Sequence, residues 1–240
     1  MSLDSPRSTP AARRVFRPFR LLRSAVELAR RDGPVALALS VTRRHIFDWR
    51  SFYLYEFLLA DCPAGHSAPR PDGYDECLVD SNEAADQSVA GRCDFREVMP
   101  WTRRALARGA ATLCMYHGRE VAHVGSVATS SAARRAVDPL PFEVQFDGGE
   151  AMLGAAYTLP RHRDRGLMTY STLRRLDYLR GAGFRTCKLA IATNNGPSNR
   201  VQMRLESRIY AVGRLFKLLK WRRWSERPAT AEELKRHSVC

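Results

Sequence analysis

Tyr157-Thr-Leu-Pro-Arg-His-Arg-Asp-Arg-Gly-Leu-Met168 is the stretch that decides the reading. Ahead of it, Glu150 to Thr158 has the character of a strand. Behind it, Leu167 to Arg180 places Tyr170, Leu173, Leu176 and Leu179 on one helical face. The stretch is therefore a basic turn between a strand end and a helix start. Such a turn is an anion cradle, because its main-chain N–H groups and the unpaired N–H groups of the first helical turn converge, and the helix dipole adds positive potential. Gly166 lets the main chain approach closely, and Arg161, Arg163 and Arg165 add long-range attraction for phosphate. A basic surface loop that only joins strand to helix has the same composition, so the flanking elements have to decide.

Downstream, Gly181-Ala-Gly183 ends the helix and Thr186 to Thr193 reads as a short apolar strand. Asn194-Asn-Gly-Pro197 is an abrupt turn, followed by a helix from Ser198 to about Ser207 and a hairpin over Ile209 to Trp224. Upstream, Ala111 to Tyr116 and Glu120 to Ala128 are two strands on a tight turn at His117-Gly118. Ser130 to Asp138 reads as a polar connection. Phe142 to Phe146 and Glu150 to Thr158 read as strands around Asp147-Gly-Gly149. Tyr74 to Asp80 is a further strand, and Ser81 to Arg108 is a broken helical segment with Ser81 as cap and Pro100 as break.

Residues 62–73 are dense in Pro and Gly and mark a linker. Before it, Met1 to Ala12 is expected to be disordered. From Pro18, the stripe Phe19, Leu22, Val26 and Ala29 predicts an amphipathic helix stopped by Asp32-Gly-Pro34. Arg43-Arg44-His45 then leads into aromatics from Phe47 to Phe57. This segment is either a helical extension packed on the main domain or a face laid on anionic lipid. The expected organisation is a basic helical extension and linker over 1–73, a mixed α/β domain over 74–227 and a tail over 228–240.

The 240 residues are 45% apolar and 27% charged, enough to bury a core and too apolar for wholesale disorder. No apolar run approaches the roughly 20 residues of a membrane span, and no charged-then-apolar leader opens the chain, so no secretory signal is read. The six cysteines contain no CxxC pair, which fits neither a disulfide framework nor a zinc site; a cytoplasmic protein without a metal is expected. The net charge is +14, with 35 Arg against four Lys. Residues 1–60 carry eleven cations and five acids, 61–99 three and nine, and 200–227 nine and two. These basic strips could meet an anionic membrane or an acidic carrier protein, or could be solvated surface in mutual ion pairs; nucleic acid is not the expected partner.

The order strand, basic Gly turn, helix ending in Gly, strand ending in Asn, and second helix resembles the GNAT superfamily of acyl-CoA N-acyltransferases. Arg163-Asp-Arg-Gly166-Leu-Met168 is similar to that family's Gln/Arg-x-x-Gly-x-Gly/Ala pyrophosphate loop, with Asp164 where Gly is common and Met168 where Gly or Ala is usual. Thr158-Leu-Pro160 matches the strand end that leads into it. The resemblance covers Tyr74 to about Arg227.

It implies a mixed α/β, mostly antiparallel twisted sheet with flanking helices, whose middle strands splay to admit a pantetheine arm. It further implies acyl transfer, by default from acetyl-CoA, to an amine. The residues implied for the donor are Tyr157, Thr158, Leu159, Arg163, Asp164, Arg165, Gly166, Leu167 and Met168, with Asn195 or Asn199 at the usual Asn position. With Asn195 in that register, Gln202 stands where a Tyr is usual; the register from Asn199 brings Tyr210 near. Glu150, at the start of the strand feeding the loop, is the implied base and Tyr210 the implied acid. Two other functions remain compatible with the residues: long-chain acyl transfer from CoA or acyl carrier protein at a membrane, and a non-catalytic polyanion-binding protein on the same fold.

Overall fold

The computed structural model describes residues 47–62 and 68–238; the helix expected from Pro18 and the polar first residues lie outside the described residues. Two compact units are distinguished. Of the described residues, the smaller comprises 47–49 and 215–223, the larger 50–214 and 224–238. In the smaller unit the Phe216 ring packs edge-on against Phe47, Trp49 and Trp221 at 5.6, 5.9 and 5.3 Å between centroids.

The strands are β1 (Phe47–Leu58), β2 (Asp75–Val79), β3 (Ala111–His117), β4 (Glu120–Ala128), β5 (Glu150–Thr158), β6 (Thr186–Ala192), β7 (Arg208–Leu218) and β8 (Trp221–Arg227). They form one sheet in the order β2-β3-β4-β5-β6-β1-β7-β8. The pairings from β2 to β5 and that of β1 with β6 are antiparallel, and β5 with β6 is parallel. The helices are α1 (Asn82–Ser88), α2 (Phe95–Val98), α3 (Trp101–Leu106), α4 (Ser131–Val137), α5 (Leu167–Gly181), α6 (Gly196–Arg204) and α7 (Ala231–Ser238). The expected mixed α/β, mostly antiparallel sheet with flanking helices is the fold observed.

Each face of the sheet is covered by apolar side chains that alternate along the strands. On one face Tyr55, Phe57, Val127, Leu153 and Leu189 meet Leu176 and Leu179 of α5. On the other, Cys114, Tyr116, Val121 and Val124 meet Phe95 and Leu106 of the α1–α3 segment. Ser81 caps α1 by accepting from the Ala84 N–H at 3.0 Å, as its sequence position predicts. Among the described residues, no helix is long and apolar enough to cross a membrane, and no group of three or more His, Cys, Asp or Glu is placed to hold a metal.

Three expectations are corrected. The aromatic run assigned to the extension is β1, whose Phe52–Leu58 pairs with Thr186–Ala192 of β6 in mid-sheet. Leu54 and Tyr55 are both fully buried because this strand is covered on both faces, so its apolar run does not alternate cleanly and hides its period. Phe142 to Phe146 is irregular rather than a strand: Phe142 is buried as an anchor, and its carbonyl accepts from the Arg134 guanidinium. The polar connection holds α4, capped by Ser130, which accepts from the Ala133 N–H at 3.2 Å. No secondary structure is expected or denied for residues after 227; α7 forms there, and its Glu233 pairs with Arg227.

Candidate functional site

The site begins where two parallel strands part. β5 and β6 pair only through Glu150–Met152 against Thr186–Lys188, and beyond that they separate. On its other edge β5 is bulged. Gly125 of β4 faces Ala156, but Val127, two residues on, faces Leu153, three residues back. The extra residue falls at Gly154-Ala155, so the backbone kinks at the opening. A Cβ on Gly154 would lie 1.6 Å from Val137 Cγ1, so glycine is required while α4 packs there. An inner cavity of about 210 Å³ lies past the bulge, lined by both separated strands and by Asp138, Met168, Thr172, Arg175, Asn195 and Gln202. An outer cavity of about 850 Å³ lies between the 158–168 loop and α6 and shares Ala156, Met168, Asn195 and Ser198 with the inner one.

The loop is shaped by two left-handed residues, Asp164 (φ +59°) and Gly166 (φ +76°). Nothing lies within 4 Å of a Cβ built on Gly166, so its conformation rather than crowding calls for glycine. α5 starts at Leu167, and the Tyr170 N–H is bonded to the Gly166 carbonyl at 3.0 Å. The amides of Leu167, Met168 and Thr169 therefore precede the first intrahelical bond, and these three residues line the outer cavity. The loop is pinned from behind. Buried His162 shares a 3.0 Å hydrogen bond between its Nδ1 and Tyr74 Oη, and Arg161 is ion-paired with Glu120. Burial, and then the nearby Arg161, His117 and Arg165, lower the His162 pKa and so favour the neutral ring. Arg161 is thus spent on the β4 start rather than on the cradle.

Of the implied donor residues, Tyr157, Thr158, Arg163, Asp164, Gly166, Leu167, Met168 and Asn195 line the outer cavity. Arg165 is exposed and outside that lining. Leu159 packs into the core beneath the α1–α3 segment, and its N–H donates to the Ala122 carbonyl at 2.9 Å. The two asparagines separate cleanly. Asn195 caps α6 and lines both cavities. Buried Asn199 accepts from Tyr55 Oη at 2.9 Å and donates to the Ala192 and Thr193 carbonyls, tying α6 to the end of β6.

Glu150 and Tyr210 lie near one another, around Lys188. Lys188 Nζ is 2.7 Å from Glu150 Oε1 and 5.4 Å from the Tyr210 ring centre. Neither residue lines the cavities. Burial, then the carboxylates Glu226, Glu150, Glu56 and Glu143, push the Tyr210 hydroxyl pKa well up.

Two cavity residues, Asp138 and Arg175, are not singled out in the sequence as site residues, and a third, Gln202, is noted there only as standing where a Tyr is usual. Asp138 follows α4 and has its pKa raised to about 6 by burial, against the opposing pull of the Leu140 N–H, Arg134 and Arg50. Arg175, 2% exposed, projects from α5 against Gly125. Gln202 of α6 is 3% exposed, with its Oε1 lacking a hydrogen-bond partner. Gly125 and Gly154, two glycines inside strands, were the available signal, since such glycines mark close approach or bulges. His123, fully buried beside Arg175 and bonded through Nδ1 to Thr158 Oγ1 at 2.8 Å, has its pKa lowered to about 3 by burial and then by Arg175, so it is neutral.

No protein-family model matches the sequence, and no curated protein matches it. Among solved structures, the chain is similar to a GCN5-related N-acetyltransferase from Sphaerobacter thermophilus (14% identity, TM-score 0.45), over 81% of this chain and 57% of that one. It is also similar to a tandem GNAT protein from the clavulanic acid biosynthesis pathway (20% identity, TM-score 0.44), over 92% and 73%. A third is a GCN5-related N-acetyltransferase from Kribbella flavida (14% identity, TM-score 0.43), over 81% and 72%. The chain thus spans less than two thirds of the Sphaerobacter protein's length.

Proposed function

We propose that this chain transfers an acyl group from an acyl-CoA to an amine. The observation that carries the reading is one channel: the left-handed turn at Gly166 opens onto an outer cavity that continues, through shared lining residues, into the gap between β5 and β6. An extended thioester fits that channel with its diphosphate at the helix start and its acyl end at the bulge. Gly166, Leu167 and Met168 offer main-chain N–H groups to the diphosphate, Arg163 adds charge, and Asn195 lies across the passage. The edge of β5 beyond Met152, having no strand partner on the β6 side, presents N–H groups that can polarise the thioester carbonyl.

In the reaction the amine nitrogen attacks the acyl carbon. The C–N bond forms, the C–S bond breaks, the amine loses one proton and the coenzyme leaves as thiolate, to be protonated from solvent. Asp138 takes the amine proton: it is the carboxylate at the inner cavity, and a pKa near 6 keeps it ionised yet basic at neutral pH. Glu150, the base implied by resemblance, is held by Lys188 away from the cavities, and its role here is to fix the closed end of the strand pair. Holding both reactants in one cleft supplies most of the acceleration, without a covalent enzyme intermediate.

The test is thiol release from acetyl-, butyryl- and long-chain acyl-CoA in the presence of a panel of small amines, polyamines and peptides. Amine-dependent release is expected. Absence of release together with absence of coenzyme binding supports a non-catalytic module instead.

A further inference from the structure

The inner cavity contains a positive charge that the protein does not neutralise. Arg175 is 2% exposed, and among the described residues no carboxylate lies within ion-pair distance of it. Its guanidinium is satisfied only by neutral groups: Nε donates to the Ser171 carbonyl at 3.1 Å, Nη1 to the Ser126 carbonyl at 3.2 Å and Nη2 to Thr172 Oγ1 at 3.3 Å. A guanidinium has five N–H donors, so these three bonds leave two. A buried cation without a counter-charge is costly, and its persistence beside a cavity calls for an anion that arrives with a ligand. The nearby aspartate, Asp138, does not serve: it makes no ion pair with Arg175 and takes a hydrogen bond from the Leu140 N–H at 2.9 Å. Nor can His123 compensate, being neutral.

The position of Arg175 defines what the anion belongs to. Gly125, against which the guanidinium lies, is the β4 residue paired with Ala156, and Ser126, whose carbonyl it binds, stands opposite the β5 bulge. The charge is thus set at the level of the bulge, where the acyl carbon would sit, and far from the helix start that would hold the diphosphate. The cavity of about 210 Å³ has room for about seven water volumes, enough for a short chain ending in a carboxylate. Gln202, a buried residue of the same lining with an unpartnered amide oxygen, adds a second polar group for orienting such a chain.

We propose that the cleft selects a carboxylate-bearing substrate, with Arg175 as its counter-charge. The inference rests on the acyl-transfer reading above. The carboxylate comes either from the far end of a dicarboxylic acyl group on the thioester or from an amino-acid acceptor. In both cases Arg175 forms charged hydrogen bonds and takes no part in the bond changes already described; it is a specificity-determining residue.

The experiment measures kcat/KM and binding for the full chain in two arms. The donor arm compares succinyl-CoA with butyryl-CoA, and free CoA serves as the binding control. The acceptor arm compares an amino acid with its amide, using one fixed donor. A preference of roughly tenfold or more for the carboxylate-bearing member in either arm is expected, and the arm that shows it identifies the source. The preference should fall to near one in Arg175→Met, whatever loss of kcat/KM the two members share, and persist in part in Arg175→Lys. A merely structural arginine would lower both members alike. Should Arg175→Met fail to fold, the wild-type ratios alone decide. Ratios near one in both arms, with free CoA still binding, overturn the proposal and leave acyl transfer standing. No binding of any CoA species overturns both.

Discussion

Replacing Asp138 by Asn tests the assignment of the proton acceptor through two independent readouts. Burial raises the carboxyl from its ordinary 3.8 to about 6, so the folded protein holds that proton more tightly than the unfolded chain does. The raised pKa makes stability fullest below pH 4 and lost progressively as pH rises through 6. A rise of that size corresponds to about 3 kcal/mol between the protonated and ionised limits. Asparagine keeps the oxygen that accepts from the Leu140 N–H but removes the charge. Asp138→Asn should therefore be more stable than wild type by about 2–3 kcal/mol at pH 8. At about 2–4 °C per kcal/mol for a chain of this size, that is a rise in Tm of roughly 5–10 °C. The gain should vanish near pH 4, where wild-type Asp138 is already neutral. Catalysis should move oppositely, with kcat down by about 10²–10⁴ and the acid limb of the wild-type pH profile, centred near 6, abolished. Thermal denaturation at pH 4 and pH 8, with kcat/KM across that range, reads both. A stability difference that does not change with pH, or a variant that keeps its rate, refutes the reasoning.

Three further outcomes are expected. Gly154→Ala should cost about 3 kcal/mol and most of the activity, because its methyl meets Val137 and closes the bulge; Val137→Ala in the same chain should restore part of the Tm. Glu150→Gln should lose about 1 kcal/mol with the Lys188 ion pair yet keep kcat within about threefold, and a loss of a hundredfold would return the base to Glu150. Gly166→Ala, strained at φ +76° but free of any clash, should lower stability by about 1–2 kcal/mol and weaken CoA binding only modestly, whereas Gly166→Glu should abolish binding as measured by titration calorimetry.

The parts of the fold governed by local rules were legible in the sequence. The 157–168 turn is announced by its glycine and arginines, α5 by its apolar stripe and closing glycines, and the β3–β4 hairpin by alternation around Gly118. Elements defined by distant partners were not. β1 is buried on both faces, so its aromatic run carries no clear period and reads as part of the segment ahead of it. Asp138 looks like the end of a polar connection until α4 packs over Gly154 and leaves it only partly exposed. Arg175 sits on a helix rich in arginine, where nothing local marks it as the one pressed against Gly125 rather than facing solvent. Asn195 and Asn199 are interchangeable in the sequence pattern; the hydrogen bonds of Asn199 with Tyr55, 144 residues away, and with the Ala192 and Thr193 carbonyls commit it to structure.

A crystal structure of the chain with CoA bound bears most directly on the central claim. Diphosphate oxygens are expected within hydrogen-bond distance of the main-chain N–H groups of Gly166, Leu167 and Met168, with the thiol arm entering the gap between β5 and β6. A coenzyme seated elsewhere, or a diphosphate held only by surface arginines while that gap stays closed, would contradict it.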